Sequence, residues 1–294
     1  DTETILAAID LWGFHKTCKK LLGMFAIALW DRSDQKLYLA RDRVGEKPLY
    51  YFQSNSLFSF SSEPKAFSEV NGFKKAINLK SLSSFVKFSY VPDSCSIFES
   101  VYKVEPGSII MLSDPTKKPS LEYFWSLESV IIDNTFARKA GSNKNNFKNI
   151  EDETEQILSD VVSSQMISDV PIGSFLSGGI DSTLITMLMQ RNSSQRVKTF
   201  SIGFKESRFN EAEYALDIAN FLDTDHTEFI VSELDVLELI PDLTNIYDEP
   251  FADSSQLPTI MLSKLSRKDV TVAFTDLNKR CNSCSCTIWI NLIR

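Results

Sequence analysis

The second half of the chain alternates short apolar runs with segments whose apolar positions recur at helical spacing. Residues 197–204, 227–231 and 269–274 are strand candidates rich in β-branched and aromatic side chains. A helical stripe that begins at Ile157 precedes them, and residues 255–267 are also predicted to be helical. Because strands that alternate with helices are typical of βαβ units, this half is predicted to be a parallel sheet flanked by helices.

The first half has a different pattern, in which short apolar runs follow one another through polar turns. The runs cover residues 22–30, 36–41, 49–52 and 57–60. They predict a largely antiparallel sheet. Residues 2–12 have apolar positions on one helical face, and we expect this first helix to pack on the sheet.

A polar stretch separates the two halves. Residues 133–150 are rich in Asn and Lys and poor in apolar side chains, which is typical of a linker. The length of 294 residues also favours about two domains. We therefore expect a first domain over 1–132, a second over 151–274 and an atypical tail over 275–294.

The stretch with the strongest chemical signal lies early in the second half. An apolar run over 172–176 predicts a strand, a Ser-Gly-Gly-Ile-Asp-Ser loop covers 177–182, and a helix follows from Thr183. Gly178 and Gly179 allow a tight turn that aims backbone N–H groups inward, and the helix N-terminus adds positive partial charge. The spacing matches neither the dinucleotide-binding fingerprint nor the Walker loop. The pattern predicts a phosphate site; the alternative is an ordinary glycine-rich turn.

Charge and composition argue against several classes of function. The formal net charge is −8, which disfavours a nucleic-acid surface because phosphate contacts need clustered Lys and Arg. No apolar run approaches about 20 residues, so no membrane span is expected. The five cysteines have no disulfide-framework spacing and no signal peptide is visible, which favours a reducing cytoplasm. Cys18 and Cys95 are interpreted as inert thiols.

Several blocks of the sequence resemble one known family. The loop over 177–182 is similar to the pyrophosphate loop of ATP pyrophosphatases, and residues 169–182 and 248–255 resemble blocks of glutamine-hydrolysing asparagine synthetases. Blocks similar to the family's glutamine amidotransferase domain lie at 1–6, 23–31, 41–51 and 61–67. The resemblance implies an α/β fold class, in which an α+β amidotransferase-type (αββα) part precedes a parallel-sheet ATP-pyrophosphatase (PP-loop) domain.

The resemblance also implies an activity, that of a carbon–nitrogen ligase in asparagine biosynthesis. In the family, aspartate attacks ATP to give β-aspartyl-AMP and pyrophosphate, and glutamine-derived ammonia then displaces AMP. The implied cofactors are ATP and Mg²⁺, and the implied partners are small molecules, namely aspartate, glutamine or ammonia, and ATP. Neither nucleic acid nor a membrane is an expected partner. The oligomeric state stays open, with a homodimer as the assembly considered.

The functional positions of the family map onto this sequence residue by residue. The implied ATP and pyrophosphate site consists of Leu176, Ser177, Gly178, Gly179, Asp181, Ser182 and Ile202. The hydroxyls of Ser177 and Ser182 can donate hydrogen bonds, and Asp181 is the implied magnesium ligand. Ile202 is also explained as a buried strand residue, and the two interpretations are compatible.

Asp1 and an acidic cluster complete the implied site, each with a simpler alternative. Asp1 matches the residue that binds the α-amino group of glutamine, and its position also suits a helix N-cap. Asp248, Glu249 and Asp253 are candidates for shaping the substrate site. Their alternative is that Asp253 caps a helix and the other two are exposed to solvent. His226 has no second His nearby in the sequence and is interpreted as structural.

The chain departs from the family pattern at both ends. The nucleophilic Cys, the substrate-binding Arg and the oxyanion loop would precede Asp1, and none of the five cysteines can replace a nucleophile whose own α-amine is its base. After Phe274 the family's glycine-rich acidic loop is replaced by a tail with Cys281, Cys284 and Cys286, three thiols that make a poor zinc site. We therefore assign no catalytic residue and expect no glutaminase activity and little or no synthetase activity.

Two other functions stay open from the sequence alone. A different PP-loop ATP pyrophosphatase, amidating another carboxylate, would share the loop over 177–182, although the amidotransferase blocks count against it. A non-catalytic remnant that folds and binds nucleotide is the second alternative.

Overall fold

The structure is a computed structural model that describes residues 1–54, 57–132, 147–204, 211–275 and 289–292. The chain divides into two compact units. Unit 1 consists of Asp1–Asn143 together with Thr244–Asp253, and unit 2 consists of Lys144–Leu243 together with Ser254–Arg294. A short segment from late in the chain therefore belongs to the unit formed by its beginning.

Unit 1 contains short helices and two antiparallel sheets. Its elements are α1 (Thr2–Trp12), α2 (Phe14–Lys20), β1 (Ala26–Asp31), β2 (Lys36–Arg41), β3 (Tyr50–Gln53), β4 (Phe58–Ser61), a 3-10 helix (Pro64–Glu69), α3 (Leu79–Phe88), β5 (Val101–Lys103), β6 (Ser108–Leu112) and β7 (Ser120–Tyr123), and residues 127–132 are also helical. One sheet has the order β1-β2-β6-β7 and the other β4-β3-β5. All of these pairings are antiparallel, which confirms the predicted strand arrangement.

The two faces of β2 show how unit 1 is layered. Successive residues of a strand point to opposite faces of its sheet. Ala40 packs in a cluster with Cys18 of α2, whereas Leu39 packs with Leu49 and Val104 at the three-stranded sheet. The four-stranded sheet is therefore covered by a helix on one face and by the second sheet on the other.

The helix that covers this sheet is α2, so the expectation that the first helix packs on it is wrong. Thr17 and Cys18 of α2 are buried, but no residue of α1 is buried, and Leu11 is 73% exposed. Residues 2–12 are helical, as their periodicity predicts. The helix α1 ends at Gly13, where the backbone has a φ of +78° and the chain turns into α2. The helix that packs on the sheet is therefore α2 and not α1.

Unit 2 alternates strands with helices. Its elements are α4 (Phe147–Gln165), β8 (Ile172–Phe175), α5 (Ile180–Arg191), β9 (Lys198–Phe204), α6 (Ala212–Leu222), β10 (Asp225–Val231), α7 (Glu233–Leu237), a 3-10 helix (Ile240–Asp242), α8 (Leu243–Ile246), which runs into unit 1, α9 (Gln256–Ser266), β11 (Val272–Thr275) and β12 (Trp289–Leu292). The sheet order is β10-β9-β8-β11-β12. The first four strands are parallel, as predicted, and β12 is antiparallel to β11.

Helices cover both faces of the sheet in unit 2. On one face, Val162 of α4 and Leu188 of α5 pack with Phe274. On the other face, Leu262 of α9 packs with Phe200. Because the strands are buried on both faces, their sequences are nearly continuous apolar runs. The protein is thus an α/β protein with an antiparallel two-sheet part and a parallel-sheet part.

Candidate functional site

The loop over 177–182 begins at the carboxyl end of β8, in the middle of the parallel sheet. Leu176 is buried, and its N–H donates to the carbonyl of Phe200 in β9 at 2.9 Å. Immediately beyond it, Ser177 is exposed. Ligands of parallel α/β sheets bind at the carboxyl ends of the strands, so the loop lies at the edge where a ligand site is expected.

The two glycines of the loop differ in whether the fold requires a glycine at their position. Gly178 has a φ of +79°, and a Cβ added there would lie 2.8 Å from the Cβ of Tyr214 in α6. Gly179 has a φ of −74°, and a Cβ there would meet nothing closer than the Ser177 hydroxyl at 3.4 Å. Gly178 is therefore required by the fold itself. Gly179 is not, because a Cβ there would make only ordinary van der Waals contacts.

Hydroxyl groups hold the loop in a compact turn. The Oγ atoms of Ser177 and Ser182 are 3.1 Å apart, and the Thr183 hydroxyl donates to the carbonyl of Gly179 at 2.6 Å. The N–H of Gly179 donates to Ser177 Oγ at 3.4 Å. These bonds are local, so they shape the loop without linking it to a charged partner.

The loop leads into the N-terminus of α5, where the backbone leaves donors for a ligand. The first N–H groups of a helix have no intrahelical partner. The N-cap residue is Gly179, and no side chain caps this helix. The end therefore retains positive partial charge from the helix dipole. Asp181 lies exposed in the first helical turn, where its carboxylate oxygens are of the type that Mg²⁺ prefers.

A buried pair of hydroxyl groups connects the two elements that flank the loop. Ser174 in β8 and Thr186 in α5 are both buried, and their hydroxyl oxygens are 3.0 Å apart. The pair joins the strand before the loop to the helix after it. The hydrogen bond therefore links the two ends of the loop. Because both hydroxyls are buried, water cannot replace the bond if one of them is removed.

Ile202 and Asp1 lie in a strand and at a helix end, respectively. Ile202 lies in β9, partly buried against Phe200, as expected for a strand residue. Asp1 is exposed at the N-cap of α1 and its carbonyl accepts from Ile5 at 2.9 Å, but its side chain makes no capping hydrogen bond. Contact of Ile202 with nucleotide and of Asp1 with glutamine stay predictions.

Two residues of the acidic cluster, Asp248 and Glu249, are nearly buried in unit 1 and paired with lysines. The side chains of Asp248 and Glu249 are only 10% and 12% exposed, so the alternative of solvent exposure is wrong for both. Asp248 lies 3.4 Å from the Lys65 ammonium and Glu249 lies 2.8 Å from that of Lys103. The helix that follows Asp253 has Ser255 at its N-cap. A role of the three acids in a substrate site stays a prediction.

His226 and Cys18 have the surroundings of structural groups. The two ring nitrogens of His226 lie 2.9 Å from the Thr199 hydroxyl and 3.0 Å from the Ser201 hydroxyl, and burial lowers the pKa of the ring. Cys18 is fully buried, which raises the pKa of its thiol to about 12 and explains an inert cysteine. Cys281, Cys284 and Cys286 lie outside the described residues.

Several polar residues that organise unit 1 were not predicted from the sequence. Buried Asp42 accepts hydrogen bonds from the N–H groups of Phe25, Glu46 and Lys47. Lys103, at the end of β5, donates to the carbonyl of Val91 as well as pairing with Glu249. The one signal in the sequence was a lysine at the end of an apolar run, which is too common on surfaces to single out.

Two negative findings apply to the described part of the chain. Within it, no group of three or more His, Cys, Asp or Glu side chains is arranged to hold a metal ion. Within the same residues, no helix is long and apolar enough to cross a membrane.

Two family models match the chain. The glutamine amidotransferase domain model matches residues 1–125, and the asparagine synthase model matches residues 153–276. The loop over 177–182 lies inside the second match. The asparagine synthase family uses ATP.

Curated relatives and one solved structure extend the comparison. Asparagine synthetase [glutamine-hydrolyzing] 1 of Bacillus subtilis is 32% identical over 282 residues, which cover 94% of this chain and 41% of the relative. A Methanocaldococcus jannaschii protein, whose name gives the same activity only provisionally, is 33% identical over 94% of this chain and 52% of its own length. The ammonia-dependent NAD synthetase of Campylobacter jejuni aligns over 42% of this chain and 54% of its own, at 18% identity and a TM-score of 0.31, which supports no conclusion.

The chain spans about half the length of the curated relatives that it matches. The two family models are adjacent and in the same order as the two units. The chain therefore contains a glutamine amidotransferase domain followed by an asparagine synthase domain, and it is similar to glutamine-hydrolysing asparagine synthetases over 94% of its length.

Proposed function

We propose that the loop over 177–182 binds the phosphates of ATP in an asparagine synthetase-type reaction. The observation that carries this proposal is the uncapped N-terminus of α5, which follows a glycine turn at the carboxyl edge of a parallel sheet. Backbone N–H groups and a helix dipole aimed at one point favour an anion there. The hydroxyls of Ser177 and Ser182 add donors beside them.

The two glycines of the loop and two apolar residues outside it have different parts in this proposal. Gly178 makes the turn possible, and the lack of a side chain at Gly179 lets a phosphate approach the backbone closely. Leu176 and Ile202 contact the nucleotide, Leu176 from the strand end before the loop and Ile202 from β9. Fixed donors of this kind stabilise charge on a leaving group without reorganisation, on the order of 3 kcal/mol for each donor.

Asp181 is the residue that would hold Mg²⁺. Its carboxylate is exposed beside the phosphate position and has no ion pair in the part of the chain that is described. When bound, Mg²⁺ would neutralise charge on the phosphates. Since the loop supplies one carboxylate, phosphate oxygens and water would complete the coordination shell.

The proposed chemistry has two steps. An oxygen of the aspartate β-carboxylate attacks the α-phosphorus of ATP, the bond to the β-phosphate breaks, and pyrophosphate leaves from the loop. Ammonia then attacks the acyl carbon, the bond to AMP breaks, and the amine nitrogen loses a proton. In the whole protein the ammonia comes from glutamine, whose α-amino group Asp1 would bind. A cytoplasmic homodimer is the setting that we propose for this activity.

The test is calorimetry with magnesium pyrophosphate and Mg-ATP on the wild type and on Gly179→Val. The backbone at Gly179 has a φ of −74° that valine tolerates, and a Cβ there would make only ordinary van der Waals contacts, so the variant should fold. The branched side chain would occupy the phosphate position, and we expect affinity to fall at least about tenfold. Equal affinity in the two proteins would overturn the loop assignment.

A second pair of variants addresses the magnesium ion. Asp181→Asn should weaken binding of magnesium pyrophosphate more than binding of pyrophosphate in excess chelator. Asp217→Asn is the matched control, because Asp217 is an exposed carboxylate on α6 outside the loop. Identical effects of the two substitutions would contradict the role of Asp181.

A further inference from the structure

The segment 244–253 is held in unit 1 by a buried ion pair. Glu249 and Lys103 are 12% and 11% exposed, and the carboxylate and ammonium are 2.8 Å apart. The other carboxylate oxygen accepts from the N–H of Ile97 at 2.8 Å, and the Tyr50 hydroxyl lies 3.3 Å from the oxygen that faces Lys103. Each oxygen of Glu249 therefore has a partner from the first half of the chain.

The ammonium of Lys103 is equally well surrounded. Besides Glu249, it donates to the carbonyl of Val91 at 2.8 Å, and it lies 6.0 Å from the centre of the Tyr50 ring. A charge buried in this way is costly unless its partner stays in place. Removing either side of the pair would leave the other charge unpaired in a poorly solvated site.

Other contacts extend the attachment along the segment. The N–H of Lys65 donates to the Asp248 carboxylate at 2.9 Å, and the N–H of Ala252 donates to the carbonyl of Ser89 at 2.7 Å. The chain on both sides of the segment belongs to unit 2. The contacts therefore fix one short stretch of late sequence to unit 1 on either side of Glu249.

We propose that Glu249 is a positioning residue that anchors the segment 244–253 through Lys103, and that it does not bind substrate itself. Both of its carboxylate oxygens are occupied by protein donors, so it has little capacity left for a ligand. Its role is to hold Asp248 and Asp253 in place. The consequence for aspartate binding rests on the proposed function; the anchoring itself does not.

The primary test is amide hydrogen exchange of the whole chain. In Glu249→Gln the Lys103 ammonium loses its charge partner, and in Lys103→Met the Glu249 carboxylate does. We expect exchange at the Ala252 amide to become roughly a hundredfold faster in each variant, and the double variant to add little. Asp242→Asn is the control, because it removes an exposed carboxylate 3.7 Å from Lys264 just outside the segment and should leave this rate unchanged.

A milder variant protects the test against misfolding. Tyr50→Phe removes one hydroxyl from Glu249 while keeping the ring and leaves no buried charge unpaired. We expect about fivefold faster exchange at Ala252. Exchange equal to that of the wild type in all three variants would overturn the anchor.

Aspartate binding separates positioning from direct contact. Calorimetry would titrate aspartate into the chain loaded with a non-hydrolysable ATP analogue. A positioning role predicts that Glu249→Gln and Lys103→Met weaken aspartate binding by the same factor, whereas a substrate contact predicts an effect of Glu249→Gln alone, which would overturn the proposal. If the wild type binds no aspartate, the proposed function fails, and the exchange rates still decide the anchor.

Discussion

The loop over 177–182 and the segment 244–253 both carry polar motifs that resemble blocks of the family, and their surroundings are opposite. In the loop, the hydrogen bonds join near neighbours, the helix end is uncapped, and Asp181 is exposed. In the segment, Asp248 and Glu249 are nearly buried and paired with lysines. The loop leaves its donors to a ligand, whereas the carboxylates of Asp248 and Glu249 are paired with lysines of the protein.

This difference shows what a polar motif can and cannot mean. A carboxylate in a motif is available to substrate only if no protein cation has taken it, because a buried pair is costly to separate. An N–H group at a helix end is different, since it stays unsatisfied until an anion or water arrives. The same kind of sequence signal therefore indicates a ligand site in one region and an attachment in the other.

The largest effect that would sharpen this comparison is expected at Gly178, which sets the open shape of the loop. Gly178→Ala combines a φ of +79° with a contact of 2.8 Å to the Tyr214 Cβ. We expect a loss of about 3 kcal/mol in the free energy of unfolding, measured by urea denaturation. Gly72→Ala is the control, because Gly72 has a φ of +90° but open surroundings, and it should cost about 1 kcal/mol. Equal losses would mean that α6 does not constrain the loop.

An intermediate effect is expected at the buried hydroxyl pair beneath the loop. Ser174→Ala leaves the Thr186 hydroxyl buried without its partner, and we expect a loss of about 2 kcal/mol in the free energy of unfolding. The double variant Ser174→Ala/Thr186→Val removes both hydroxyls and should recover part of that loss. A double variant that is less stable than Ser174→Ala alone would show that the pair is not what joins β8 to α5.

The smallest expected effect is the pH dependence of stability that His226 causes. In unit 2 this ring is hydrogen-bonded to hydroxyl groups, whereas Glu249 in unit 1 is paired with a charged lysine. Burial lowers the pKa of His226 in the folded protein, with Glu228 opposing that shift. The unfolded chain therefore takes up the proton first as the pH falls. The contribution of His226 to stability is complete above about pH 6.5 and is lost progressively below it.

Urea denaturation at a series of pH values checks this expectation. Wild type and His226→Gln should differ in how steeply stability falls below about pH 6.5, with the variant showing the shallower dependence. Parallel curves for the two proteins would show that the ring is not the group responsible.

Much of the fold followed from local pattern. The strand predicted over 36–41 is β2 with the same bounds, and the runs over 197–204 and 227–231 lie in parallel strands. The loop over 177–182 was predicted because a strand, two glycines and a helix start are all local features. Such features depend on near neighbours in the chain, so the sequence alone carries them.

The exposure of α1 and the anchoring of Glu249 were decided by the tertiary structure. Periodicity showed that α1 has an apolar face, but not that α2 would occupy the sheet in its place. Asp248 and Glu249 were recognised as a motif, and the sequence by itself determined only that they are acidic and close together. Their partners Lys65 and Lys103 come from unit 1, far earlier in the chain. Folding decides which lysine pairs with which carboxylate. The strength of an ion pair depends on distance and burial, and the local sequence determines neither of them.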